Sequence, residues 1–130
     1  MAITQHAPGR IVFVTVSPGD CLQATLEQAI GDAGASAAIV LTTVGSLTRL
    51  VFANPGSLDK DDRRVGVRTA DGPLEIVSLV GGVGSAYQHG EAQSHLHISV
   101  SRPDGQVIGG SLRYGSTAWF QIQVRLLLHD

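Results

Sequence analysis

One cysteine, few charges and no long apolar run set the first bounds on this chain. Cys21 is the only cysteine, so an internal disulfide and a four-cysteine zinc site are both excluded. No stretch approaches the ~18 consecutive apolar residues of a membrane-spanning helix. Met1-Ala2-Ile3-Thr4-Gln5-His6 lacks the basic start and apolar run of a secretory leader. A cytoplasmic protein with no membrane partner is expected. Charged residues make up 15% of the chain against 43% hydrophobic. So little charge suggests that apolar surface is hidden in an oligomer interface. Nine basic and eleven acidic residues leave a formal charge of −2, which gives no pull toward phosphate backbones. Repeats and low-complexity tracts are missing, and 130 residues suit one domain spanning 1–130.

What is present reads as one helix among about eight strands. Residues 10–16 are β-branched and almost continuously apolar, a strand covered on both faces. Ser17-Pro18-Gly19-Asp20 stops it, and Asp20 is expected to cap a helix with Gln23 at its third position. Leu22, Leu26, Ala29, Ile30 and Ala33 fall on one helical face, and Gly34 stands where a C-terminal glycine belongs. Residues 37–41 and 46–53 are strands broken near Gly45, and 54–64 is an exposed loop with the charged run Asp59 to Arg64. A short strand at 65–69, a turn at Asp71-Gly72-Pro73 and a strand at 74–80 follow, then a mobile glycine-rich stretch over 81–90. Near the end, Phe120, Ile122, Val124, Leu126 and Leu128 alternate with Gln121, Gln123 and Arg125. The expected class is α+β, a mixed, barrel-like β-sheet with one main helix packed against it.

The densest chemistry lies in Ser94-His95-Leu96-His97-Ile98-Ser99. Histidines spaced i, i+2 on a strand point to the same side of a sheet. Pro103-Asp104-Gly105 suits a three-residue hairpin loop with glycine in the left-handed position. Arg102 then pairs with Gln106, which sets His97 across from Ser111 and His95 across from Arg113. Paired side chains share a face about 4.5–5.5 Å apart. His95, His97 and Ser111 thus form a polar cluster, with Leu96, Ile98 and Leu112 on the other side. Two imidazoles can hold a divalent ion, but a stable site wants a third protein ligand. His89 or Glu75 could supply it. The alternative is two histidines hydrogen-bonded in a polar groove or interface.

Other candidates carry less. Glu75, inside the apolar run Leu-Glu-Ile-Val, must be exposed, paired or facing a site, where it could be a ligand or general base. Arg49 and Arg113 could bind a small anion in the groove or pair with acids between subunits. Gly81-Gly82-Val83-Gly84 lacks the Gly-Lys-Ser/Thr ending of a phosphate loop. Cys21 is read as a small buried thiol, and Tyr114 and Trp119 as packing the core or an interface.

Together, Gly19-Asp20-Cys21-Leu22, Val44-Gly45-Ser46-Leu47, Gly72-Pro73-Leu74-Glu75-Ile76-Val77-Ser78-Leu79 and the histidine hairpin with Asp104 to Gly110 resemble the PPC (plants and prokaryotes conserved) domain. The resemblance covers residues 10–128. It implies a compact α+β fold and, for stand-alone prokaryotic members, a homotrimer. Many members carry a third histidine after the glycine pair, and some of these bind zinc. Here that position is Ser111, which removes one ligand from the set with His95 and His97. The fold is also similar to that of acetolactate decarboxylase, which implies a zinc-dependent lyase or hydrolase as an alternative, with Glu75 moving protons. Plant members join this domain to an AT-hook; these residues contain no such segment, so nucleic acid is not the expected partner and a DNA-associated regulatory protein stands as the further, disfavoured alternative. The leading expectation is a homotrimeric module binding a small ligand or a metal, zinc above all, around His95 and His97, with the reaction, if any, undefined.

Overall fold

The computed structural model describes Ala2, residues 9–86 and residues 93–129. Along the chain run β1 (Ile11–Val16), α1 (Leu22–Asp32), β2 (Ala37–Val44), β3 (Ser46–Pro55), β4 (Val65–Gly84), β5 (His95–Ser101), β6 (Val107–Leu112), β7 (Thr117–Ala118) and β8 (Ile122–His129). The eight strands lie in one sheet of order β1-β8-β2-β4-β5-β6-β3-β7, and an additional β3–β4 pairing closes β4, β5, β6 and β3 into a barrel. The molecule is strongly β-dominated, with one short helix.

A mixed sheet was expected; every described pairing is antiparallel. The helix does cross from β1 to β2, the connection that usually makes a parallel pair. Here β8 inserts between the two and pairs antiparallel with each.

Leu22, Leu26 and Ile30 are fully buried, and α1 packs on β1 and β4. Its end follows the sequence: Gly34 has φ +77°, Gly34 N–H donates to Gly31 O at 3.0 Å and Ala35 N–H to Ile30 O at 3.0 Å. That pair of bonds is a Schellman motif. Its start does not follow the sequence. Cys21, half-buried, is the N-cap and makes no side-chain capping bond. Gly19 N–H donates to Ala118 O, and Asp20 O accepts from Ala118 N–H. This bridge to β7 holds the segment extended, so the helix begins one residue later than Asp20 would start it.

The expected turn at Asp71-Gly72-Pro73 is absent, and β4 runs through it for 20 residues. A Cβ at Gly72 would overlap the Leu47 carbonyl oxygen and come within 2.9 Å of Thr48. The register of β3 against β4 shifts between Leu47 and Arg49 at the same place. Glycine therefore serves close strand approach here, not chain reversal. Gly81 to Gly84 are likewise strand residues, paired with His95, Leu96 and β2; residues 87–90 of the expected mobile stretch lie outside the described residues.

Ile122, Val124, Leu126 and Leu128 are buried as expected, whereas Phe120 is exposed and stacks on Trp119 with ring centroids 4.5 Å apart. Phe120 precedes β8, so the strand's alternation does not govern it. Among the described residues no helix is long and apolar enough to cross a membrane.

Candidate functional site

Alternation on β5 sorts its side chains. Leu96, Ile98 and Val100 are buried in the barrel, while His95 and His97 are exposed on its outer face. The β5–β6 register matches the reading from the turn: Ser101 pairs with Val107, Ser99 with Gly109 and His97 with Ser111. Gly105 has φ +87°, Arg102 N–H donates to Gln106 O at 2.8 Å, and the Asp104 carboxylate accepts from Gln106 N–H at 2.9 Å. The hairpin thus carries its register in its own loop.

Across the outer face, Val80, His97, Ser111 and Ala53 form one row through four strands. The two imidazoles meet edge to face with centroids 5.1 Å apart. On one side of them is a groove of about 850 Å³, whose lining includes Asn54, Ser78, Ser99, Ser111 and Arg113. On the other is a hollow of about 180 Å³ against Val80 and Gly81. Gly109 and Gly110 line the groove without side chains, so part of its floor is backbone. A Cβ on Gly110 would stand 2.5 Å from Asn54 Oδ1 and 2.6 Å from Ala53 O. Asn54 Nδ2 donates to Gly109 O at 3.1 Å, and the hydroxyls of Ser78 and Ser99 are bonded at 2.7 Å.

Arg113, in the turn after β6, also lines the groove. Its N–H donates to Val51 O at 3.0 Å, and the fully buried Ser116 hydroxyl donates to Arg113 O at 3.1 Å. The groove therefore gathers His95, His97, Ser111 and Arg113. It does not include Arg49, which is on β3 between Asp71 and Thr117. Glu75 is exposed, opposite Ser101. That is four residues along β5 from His97, about 13 Å at ordinary strand rise. His89 lies outside the described residues. Among the described residues no three His, Cys, Asp or Glu side chains converge on one point. The two imidazoles alone make an incomplete zinc site.

One cluster escaped the sequence reading. The half-buried Glu27 carboxylate accepts from Gln23 Nε2 at 3.2 Å, Ser94 Oγ at 2.5 Å and Tyr114 OH at 2.5 Å. Ser94 adjoins His95 and Tyr114 adjoins Arg113, so one helical carboxylate ties down both flanks of the groove. The bond to Glu27, then burial, then the Glu27 charge push the Tyr114 phenol up from 10.0 to about 12. Tyr114 is exposed over most of its surface, so this bond outweighs enclosure in holding the proton. The one signal in the sequence was Gln23 and Glu27, four residues apart at the edge of the helix's apolar face.

The fold and groove describe a small antiparallel barrel domain with an outward-facing histidine pair. The Plants and Prokaryotes Conserved (PCC) domain matches residues 3–128, and the chain belongs to that family. A plant- and prokaryote-conserved protein of Pyrococcus horikoshii superposes with TM-score 0.80 at 22% identity, over 100% of this chain and 86% of its own. A metal-containing protein of Archaeoglobus fulgidus gives TM-score 0.80 at 24% identity, over 98% and 85%. Both share the fold. AT-hook motif nuclear-localized protein 12 of Arabidopsis thaliana is 32% identical over 76 residues, 56% of this chain. The chain spans only 19% of that protein's length.

Proposed function

We propose that this chain is a homotrimeric, cytoplasmic binding module whose site is the groove around His95 and His97, and whose ligand is a small molecule or a metal ion. The observation that carries this reading is the groove itself, which brings two imidazoles, a hydroxyl and a guanidinium from β5, β6 and the turn after β6 around about 850 Å³. Exposed Ile11, Phe13, Ile39, Val77 and Val80 on the outer face support an assembly that covers them.

The zinc-dependent lyase or hydrolase reading has less support, because Glu75 is too far along the strand to move protons at His97. The nucleic-acid reading leans on the Arabidopsis relative's AT-hook, a segment these 130 residues do not contain. Salt-dependent DNA binding would revive it.

The test is metal content and zinc affinity of untagged protein beside a His95→Ala/His97→Ala double variant, with molar mass by light scattering. Near-stoichiometric metal that the variant loses would make the module a metal site completed by further ligands. No metal after zinc is supplied would leave a metal-free ligand site. A monomeric mass would overturn the trimer.

A further inference from the structure

The lining of the groove narrows the ligand's chemistry. Its titratable and charged side chains are His95, His97 and Arg113, and no carboxylate lines it among the described residues. Two acids are engaged elsewhere. Glu27 accepts from Gln23, Ser94 and Tyr114, and Asp62 pairs with Arg64 at 2.9 Å. Arg113 has no carboxylate partner among the described residues. This imbalance occurs in a chain whose formal charge is −2, so it is local to the groove.

A divalent cation here would face a permanent guanidinium charge and find two nitrogen donors, with no anionic ligand among the described residues to neutralise it. An anion would find the reverse: a planar fork of N–H donors at Arg113, imidazole N–H groups at His95 and His97, and the Ser111 hydroxyl. Ala53, Pro55 and Val65 add apolar lining, which suits a ligand with an apolar body behind its charged head. Resting on the reading that this groove is the binding site, we infer that its ligand is a small organic anion, a carboxylate or phosphate monoester, held by Arg113, Ser111 and the two histidines without a metal.

The experiment titrates full-length protein with benzoate, phenyl phosphate, inorganic phosphate and neutral benzamide, with and without EDTA. It reads the imidazole proton signals of His95 and His97 by NMR. The expected result is saturable movement of both signals by at least one anion, unchanged by EDTA, with benzamide about tenfold weaker or worse. Arg113→Gln should weaken the anion about tenfold or more at an unchanged melting temperature. Arg102→Gln, at the far end of the hairpin, should leave it alone. The ratio of benzoate to phenyl phosphate affinity tells the two head groups apart. Benzamide binding as tightly as benzoate overturns the anion and leaves the groove as the site. Anion binding that EDTA abolishes and zinc restores overturns the metal-free part and likewise leaves the site. Histidine signals that none of the four compounds moves overturn both.

Discussion

Glu27 receives three donors at once, from its own helix, from the residue before His95 and from the residue after Arg113. Hydrogen bonds to a carboxylate are among the stronger ones in a protein. The phenol bond can be followed by pH. Tyr114 keeps its proton to about 12 in the fold and loses it near 10.0 in the unfolded chain. Its contribution to stability is therefore full below pH 10.0 and is lost as pH rises toward about 12. Titrating tyrosinate absorbance should show one of the chain's two tyrosines ionising late. Tyr114→Phe should remove that late step, and Glu27→Gln should bring it back toward the ordinary range. Urea midpoints should fall more steeply over this pH interval in the parent than in Tyr114→Phe. Two tyrosines titrating together near their usual value would mean that the phenol bond does not persist in solution.

At the scale of elements, legibility depended on whether the cause was local. The β5–β6 register could be read because Pro103-Asp104-Gly105 contains it: a left-handed glycine and an aspartate bonded two residues on. That single turn correctly set His97 against Ser111. The C-terminal stop of α1 was equally local. β4 was not, because Asp71-Gly72-Pro73 has the composition of a turn and becomes strand only through the approach of β3. For the same reason Glu75 could be placed on a strand but not at its distance from the histidines. The β3 contact makes a prediction. Gly72→Ala must push back the Leu47 carbonyl and should cost about 1–3 kcal/mol. Gly66→Ala, also on β4, meets nothing within 4 Å and should stay within about 0.5 kcal/mol of the parent. Chemical denaturation of both variants checks this, and equal losses would refute the close approach.

Across the whole molecule, side-chain rows join the groove to the apolar outer face. Ile11, Leu127, Ile39, Gly82 and His95 are successive partners through β1, β8, β2, β4 and β5, and so share one face. Ile11 is 58% and Ile39 43% exposed in the single chain. The row thus runs from open apolar surface directly to a histidine of the site. Low charge in the sequence raised the expectation of a hidden interface, and this row is an apolar surface that the proposed assembly could cover. If a second copy covers this row, it sits beside His95, and assembly and ligand binding are linked through one surface. Ile39→Glu puts a charge there without entering the barrel core, because Ile39 faces outward. The molar mass of this variant by light scattering should fall to about a third of the parent's if the trimer is cyclic and uses this face. Its far-UV circular dichroism should be unchanged, and its affinity for the groove ligand should weaken in step with dissociation. A trimer that survives Ile39→Glu would move the interface to another face and uncouple it from the histidines.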